Sequence, residues 1–227
     1  VDKNFDNSNL DKTIIKVKNP SLSFIKLLSF FKSKKINKKT GIDKNSHISN
    51  DAIVGNNVYI GSHVIIEKNA CIADDVNIFP GSYIGENTII GKETVIHPNV
   101  TIYDNVTIGK RCKINAGTVV GSDGFGIVTQ KGKNFDIPHI GSVLIEDDVT
   151  IGSNCSIDRG TFNNTVIGKN TKLDNLIQIG HNVSIGKGCM LSAQSGIAGS
   201  SIIGNNVIIA GQSGIIDHIS IGDNSVI

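Results

Sequence analysis

Aliphatic residues recur at every sixth position along most of this chain. The recurrence runs in three phases, and within each phase every sixth residue is Ile, Val or Leu. The phases run from Ile42 to Val120, from Ile145 to Ile157 and from Ile167 to Ile227, with 14, 3 and 11 members. A fixed period sustained over this length is the sequence signature of a repeat architecture.

The residues between these positions predict the shape of each repeat. Gly often follows the aliphatic residue, Asn or Asp often comes next, and a small or β-branched residue stands four positions after it. Gly, Asn and Asp tolerate the backbone of sharp corners. We therefore expect each hexapeptide to form one short strand and one corner, and three hexapeptides to close an 18-residue triangular coil. Stacked coils give an all-β fold, a parallel β-helix with an aliphatic column inside.

Two segments interrupt the period. Residues 122–144 are predicted to leave the coil as a loop, and residues 158–166 to add a four-residue bulge. Breaks in a regular repeat often serve function or assembly.

The four cysteines are far apart, which argues against disulfides and zinc. Three of them, Cys112, Cys155 and Cys189, occupy the small inward position, so we interpret them as packing residues.

The period is absent before residue 36. Residues 13–18 alternate as a strand, and residues 21–32 are predicted to form a helix capped by Ser21. We therefore divide the chain into a small α+β remnant with a linker, residues 1–35, and a β-helix domain, residues 36–227.

The opening segment is basic. Residues 1–45 contain 11 Lys and four Asp. They form either a solvated linker or a surface attracted to an acidic partner, such as a carrier protein or a membrane. The longest apolar run is too short to span a bilayer, and no signal peptide is visible. We expect a cytoplasmic protein that does not bind nucleic acid and is at most peripheral to the inner membrane.

Two of the six histidines share a special spacing. His181 and His218 are 37 residues apart, which is two coils plus one residue. They should therefore lie on nearly the same corner, about 10 Å apart. Gly199 falls in the coil between them, where its N–H suits an oxyanion. Asp174, seven residues before His181, is expected near the same corner as a partner for an imidazole base.

Other chemistries fit the sequence less well. Some hexapeptide proteins bind zinc through three histidines, two of them five residues apart, but residue 186 is Gly. We expect no metal site. No glycine-rich loop follows a strand into a helix, which excludes a P-loop or Rossmann reading. We also expect no cofactor.

Five short motifs carry a family resemblance. They are Val17–Pro20 (VKNP), Gly121–Gly126 (GSDGFG), Ile137–Gly141 (IPHIG), Ile157–Gly160 (IDRG) and Leu173–Val183 (LDNLIQIGHNV). Together they resemble the bacterial UDP-3-O-acylglucosamine N-acyltransferases of lipid A biosynthesis. The resemblance implies that the β-helix is left-handed and that the protein is a homotrimer. It also implies that the 122–144 loop contributes to a subunit interface or a cleft between subunits.

The resemblance implies a reaction and a set of residue roles. A 3-hydroxyacyl chain would move from acyl carrier protein to the 2-amino group of UDP-3-O-acyl-glucosamine. His181 matches the general base, Gly199 the oxyanion donor and Asp174 the carboxylate partner of the base. His218 matches a second substrate-side histidine. Residues expected to touch substrate beside these are Asn175, Gln178 and Asn182.

The chain departs from that family pattern at both ends. Most of the uridine-binding domain and the C-terminal helices that meet the carrier protein are expected to be missing. Within the same class, a sugar O-acyltransferase or an acetyl-CoA-dependent acetyltransferase stays open. A different class is a non-catalytic β-helix scaffold, such as an ice-binding protein. That class predicts a flat outward ladder of Thr, and none appears at constant phase.

Overall fold

The computed structural model describes residues 1–5, 12–35 and 39–227. They fall into two compact units, Val1–Lys39 and Thr40–Ile227. The domain boundary was predicted between residues 35 and 36. This position adjoins residues 36–38, which lie outside the described residues.

The first unit contains one helix, α1 (Pro20–Lys35). The helix was predicted, but its cap is Asn19 rather than Ser21, because Asn19 Oδ1 accepts a hydrogen bond from the Leu22 N–H at 2.9 Å. Pro20 then occupies the first helical position, which needs no N–H donor. The predicted strand over residues 13–18 is wrong. A strand needs a partner ladder, and among the described residues this segment makes one isolated bridge, between Val17 and Asp2.

The second unit is a left-handed parallel β-helix of about ten turns, as predicted. Its strands are numbered in chain order and form three nine-stranded sheets. The first sheet contains β1 (Gly41–Ile42), β4 (Tyr59–Ile60), β7 (Asn77–Ile78), β10 (Val95–Ile96), β13 (Lys113–Ile114), β18 (Thr150–Ile151), β21 (Lys172–Leu173), β24 (Met190–Leu191) and β27 (Ile208–Ile209). The second contains β2 (His47–Ile48), β5 (Ile65–Ile66), β8 (Tyr83–Ile84), β11 (Thr101–Ile102), β14 (Val119–Ser122), β19 (Ser156–Asp158), β22 (Gln178–Ile179), β25 (Gly196–Ile197) and β28 (Gly214–Ile215). The third contains β3 (Ile53–Val54), β6 (Cys71–Ile72), β9 (Ile89–Ile90), β12 (Thr107–Ile108), β17 (Ser142–Ile145), β20 (Asn164–Ile167), β23 (Ser184–Ile185), β26 (Ile202–Ile203) and β29 (Ser220–Ile221).

Each strand is followed by a corner, which we name after its sheet as a first, second or third corner. Many corners place an Asn in the left-handed region, where its side chain is better tolerated than most. Asn69, Asn87 and Asn105 have φ of 57°, 55° and 61°. They are 18 residues apart and form a hydrogen-bonded ladder, with Nδ2 to Oδ1 distances of 3.1 and 3.3 Å. The corner residues therefore fix the triangular turn and tie neighbouring coils together.

The aliphatic column forms the core. The inward side chains from Ile60 to Ile114 are at most 1% exposed, whereas Ile42, in the first coil, is 54% exposed. An inward residue is buried only when coils stack on both sides of it. Replacing one of the central isoleucines with alanine costs about 2–5 kcal/mol.

The two predicted interruptions are present. The first contains a two-stranded antiparallel hairpin, β15 (Ile127–Gln130) and β16 (Lys133–Asp136), before the chain rejoins the coil at β17. The second interruption increases the sequence separation of paired residues in neighbouring first-sheet strands to 22, since Thr150 pairs with Lys172. Both interruptions follow strands of the second sheet.

The inward cysteines are expected to be unreactive in the native protein. Burial raises the pKa of the Cys112 thiol to about 11 and also raises the pKa of Cys155 and Cys189. A thiol must ionise to react. With a thiol reagent at pH 8, Cys71, which is only partly buried, should react first, and the other three only after denaturant is added. Fast native labelling of Cys112 would contradict this packing.

Candidate active site

Stacked second corners bring His181, Gly199 and His218 to one edge of the β-helix, as the spacing predicted. His181 follows β22, Gly199 follows β25 and His218 follows β28, and these strands are neighbours in the second sheet. The Ser200 N–H donates to the His181 carbonyl at 2.8 Å, and the His218 N–H donates to the Gly199 carbonyl at 3.1 Å. These backbone bonds hold the three corners in register.

A cleft of about 480 Å³ opens along this edge. Its lining combines the predicted corner residues with residues from the hairpin segment and the second sheet: Phe125, Asp158, Gln178, Gly180, His181, Gly196, Ile197, Ala198, Gly199, Ile215, Asp217 and His218. Of the predicted site residues, His181, Gly199, His218 and Gln178 line the cleft. A concave site with a few convergent polar groups is the usual form of a small-molecule site.

Asn182 fixes the tautomer of His181. The Asn182 Oδ1 accepts a hydrogen bond from the Thr161 N–H at 2.9 Å, which identifies that atom as the amide oxygen. It also lies 3.1 Å from His181 Nδ1. Because an oxygen accepts, Nδ1 must carry the proton and donate it to Asn182. The Nε2 atom then holds the free lone pair of a base. Asn182 was predicted to touch substrate, but its side-chain oxygen is directed at the imidazole and the bulge.

Gly199 lies directly beside the basic nitrogen. A Cβ built on Gly199 would be 2.6 Å from His181 Nε2, closer than carbon and nitrogen can approach. Glycine is therefore required for the imidazole to occupy this position. Within the described part of the chain, the Gly199 N–H donates no hydrogen bond. It is free to stabilise developing negative charge at the cleft.

The buried carboxylate of the cleft is Asp158, which sequence reasoning missed. Asp158 is 7% exposed and ends β19. Its Oδ2 accepts a 2.8 Å hydrogen bond from Gln178 Nε2, and its Oδ1 accepts one from Ser122 Oγ at 3.3 Å. Burial raises the pKa of Asp158 above its ordinary value, and the hydrogen bonds from Gln178 and Ser122 offset this only in part. The IDRG motif was the available signal, because it ends the strand next to the bulge.

The prediction that Asp174 lies near His181 as the carboxylate partner of this base is wrong. Asp174 follows β21 and lies on a first corner, whereas His181 lies on a second corner. Seven residues are one hexapeptide plus one, so the chain has advanced to the next edge. Asp174 Oδ1 instead accepts from the Asn175 N–H at 2.8 Å, and Asn175 Oδ1 accepts from the Ser153 N–H at 2.8 Å. Neither Asp174 nor Asn175 lines the cleft.

His218 stands at the open end of the cleft. Its side chain is 73% exposed, and its Nε2 lies 3.9 Å from Asp217 Oδ2. An ion pair this exposed contributes little to stability. The imidazole is therefore available to a ligand that enters from solvent.

Arg159 anchors the glycine-rich segment that covers His181. Its Nε donates to the Gly121 carbonyl at 2.6 Å, and its Nη2 donates to Asp104 Oδ1 at 3.1 Å. The Arg159 bond lowers the pKa of Asp104. From this anchor the chain reaches Gly124, where a Cβ would come within 2.7 Å of the His181 Cβ. The GSDGFG motif thus allows a backbone to pass against the imidazole.

Replacing Asp158 with asparagine is expected to change how stability depends on pH. In the unfolded chain an aspartate titrates near pH ~3.9, and the folded protein holds this proton more tightly. Wild-type stability therefore falls as pH rises through the interval between the two pKa values. In thermal unfolding, the Asp158→Asn variant should melt above wild type at pH 7, and this gain should vanish in acid. The exposed Asp51→Asn is the control, and no gain at pH 7 would contradict the burial argument.

In residues 1–5, 12–35 and 39–227, no three His, Cys, Asp or Glu side chains group so as to hold a metal ion. Over the same residues, no helix has the length and apolar character needed to cross a membrane.

Comparison with known protein families confirms the repeat. The model "Bacterial transferase hexapeptide (six repeats)" matches residues 87–122 and 164–199, and "Hexapeptide repeat of succinyl-transferase" matches residues 142–175. These matches cover both sides of the hairpin and extend to Gly199.

Curated relatives and solved structures agree with the sequence resemblance. The chain is 48% identical over 71 residues to a UDP-3-O-acylglucosamine N-acyltransferase of Fusobacterium nucleatum, covering 31% of this chain and 21% of the relative. It is 42% identical over 74 residues to one from Maricaulis maris, covering 33% and 22%. The fold matches a UDP-N-acetylglucosamine acyltransferase of Bacteroides fragilis with a TM-score of 0.63 and 26% identity, over 82% of this chain and 64% of that one. The matched segments thus span about a fifth of the length of these curated relatives.

Proposed function

We propose that this protein is an N-acyltransferase that moves a 3-hydroxyacyl chain from acyl carrier protein to the 2-amino group of UDP-3-O-acyl-glucosamine. The observation that carries the proposal is that a basic nitrogen, His181 Nε2, lies against Gly199, whose N–H donates no hydrogen bond among the described residues, in one cleft. The similarity to curated UDP-3-O-acylglucosamine N-acyltransferases supports the choice of acceptor.

The proposed reaction needs one base and one oxyanion donor. The amine nitrogen attacks the thioester carbonyl carbon, and His181 Nε2 takes the proton that the nitrogen loses. Negative charge develops on the carbonyl oxygen, where the Gly199 N–H stabilises it. When the carbon–sulfur bond breaks, the protonated His181 returns its proton to the departing thiolate of the carrier. The products are an amide and a free thiol, and no covalent bond to the protein forms.

The neighbouring polar groups support this assignment. The Asn182 oxygen keeps the proton on Nδ1 and stabilises the imidazolium that forms. The bond from Gln178 Nε2 to Asp158 leaves Gln178 Oε1 as an acceptor at the cleft. The exposed His218 suits charged groups of the nucleotide sugar.

The test is a product analysis with the purified protein. We expect 3-hydroxyacyl carrier protein and UDP-3-O-acyl-glucosamine to give a product heavier by one acyl group, with loss of the free amine. If the protein transfers an acetyl group from acetyl-CoA, or acylates a sugar hydroxyl instead, the related transferases are favoured. Absence of turnover with every donor would favour a non-catalytic scaffold.

We also propose that the protein forms a homotrimer through the β15–β16 hairpin. The hairpin and the segment after it carry exposed apolar side chains, among them Val128 at 53%, Phe135 at 52% and Ile140 at 73%. Apolar groups clustered on one projecting segment indicate a protein contact. Light scattering should give a mass near three times 24.1 kDa, and the Phe135→Asp variant should lower it. A wild-type mass of one chain would contradict the proposal.

A further inference from the structure

His139 is an orphaned imidazole that contacts the cleft residue His181. The residue is only 5% exposed. Among all the residues that the structure describes, none makes a hydrogen bond to its Nδ1 or its Nε2. A polar group buried without a partner loses its hydration and gains nothing in return, which destabilises the folded state. The ring is therefore held in place by packing and not by hydrogen bonds between its nitrogens and the described residues.

The His139 ring packs directly against the ring of His181. The two ring centroids are 5.0 Å apart and the planes are tilted by 60°. Gly124 lies over both rings, since a Cβ there would be 3.0 Å from His181 Cδ2 and 3.1 Å from His139 Nε2. A Cβ at Gly126 would be 3.1 Å from His139 Cε1, the next atom of the same ring. The two glycines thus hold the His139 ring between the hairpin segment and His181.

The contacts of His181 with Asn182 and Gly199 do not by themselves prevent rotation of its ring. The bond to Asn182 fixes one ring nitrogen, and Gly199 leaves room for the other. A single hydrogen bond of 3.1 Å does not by itself stop the ring from turning about the Cβ–Cγ bond. The ring therefore needs a rigid neighbour, and His139, whose ring centroid lies 5.0 Å from that of His181, supplies it.

We propose that His139 is a positioning residue for acyl transfer: its ring is a dry wall that keeps His181 Nε2 directed into the cleft. The inference rests on the proposed function, because the orientation matters only if His181 is the base. A small displacement of a reacting group costs up to about 10²-fold in rate. The ring shape of His139, rather than either nitrogen, does the positioning.

The test compares His139→Ala, which removes the wall, with His139→Phe, which restores a ring of similar breadth. We expect His139→Ala to lower kcat on the order of 10-fold to 10²-fold, with KM for both substrates changed less than about 3-fold. His139→Phe should recover kcat to within a few-fold of wild type. It should also melt no lower than wild type, because the orphaned nitrogens are gone. The exposed His63→Ala is the control.

A second readout does not depend on turnover. Imidazole ¹⁵N NMR of the histidine-labelled protein, with His181 assigned by its own variant, reports the tautomer directly. His139→Phe should keep the Nδ1–H form of His181, and His139→Ala should give an averaged signal. If wild type fails to transfer acyl groups, the proposed function is overturned and the NMR comparison still decides the positioning role. An unchanged tautomer and kcat in His139→Ala would overturn the inference. A His139→Phe variant as slow as His139→Ala would also overturn it, because the nitrogens would then be required.

Discussion

Replacing His181 with alanine is expected to lower kcat for acyl transfer by about 10²-fold to 10⁴-fold. The substitution removes the imidazole whose Nδ1–H is donated to Asn182 and whose Nε2 therefore holds a free lone pair at the cleft. The attacking amine would then lose its proton to water. Because the base acts mainly in the transition state, KM should change little. Initial rates of free-amine loss measure the effect.

The control for this variant is His63→Ala. His63 is an exposed corner residue outside the cleft, so its removal should leave kcat within about twofold of wild type. The His181→Ala variant should melt close to wild type, since the side chain is only half-buried and, within the described residues, makes a single hydrogen bond, to Asn182. If it turns over at the wild-type rate, His181 is not the base.

Gly199→Ala is expected to be about as damaging as the loss of the base. The added methyl group would lie 2.6 Å from His181 Nε2, so the imidazole must move away from the reacting amine. It would also crowd the Gly199 N–H, and losing one oxyanion donor costs about 10²-fold to 10³-fold in kcat. Gly199 does not have a positive φ. The alanine backbone is therefore unstrained, and the loss would arise from the site rather than from misfolding.

Gly214→Ala is the matched control, because its added Cβ would meet nothing within 4 Å and its φ is not positive. It lies one coil further along the second sheet, on β28. We expect wild-type kcat for Gly214→Ala, and a melting temperature within a few degrees of wild type for both variants. Wild-type kcat for Gly199→Ala would show that this corner is not where the chemistry occurs.

Most of the β-helix followed from the sequence because one physical rule repeats. An inward aliphatic residue at every sixth position predicts its strand, its corner and its stacking neighbours together. The pairing of Ile60 with Ile78, 18 residues on, is a direct consequence. The same arithmetic placed His181, Gly199 and His218 on one edge, since a corner's position depends only on its phase within the coil.

The same rule, applied correctly, does not place Asp174 beside His181. It also does not predict the positions of residues beside the breaks in the period. A correct count puts Asp174 on the preceding corner, and the structure agrees. Asp158 ends β19 just before the bulge and His139 lies in the hairpin segment, so both come near His181 across a break in the repeat. Their positions depend on tertiary contacts, such as the bond from Arg159 to the Gly121 carbonyl, which sequence spacing does not encode.

The N-terminal helix shows a smaller failure of local reasoning. Both Asn19 and Ser21 are good capping residues, and both precede the apolar run. Pro20 decides between them, because proline fits the first helical position and places the cap one residue before it. The position of proline was thus a better guide than the chemistry of the capping residue.

The most direct test of the proposed site is a crystal structure of the protein with UDP-3-O-acyl-glucosamine bound. We predict that the 2-amino nitrogen of the sugar lies within hydrogen-bond distance of His181 Nε2, with the Gly199 N–H facing the position of the incoming carbonyl. A sugar bound at another edge of the β-helix, such as the first corner that carries Asp174, would contradict the account.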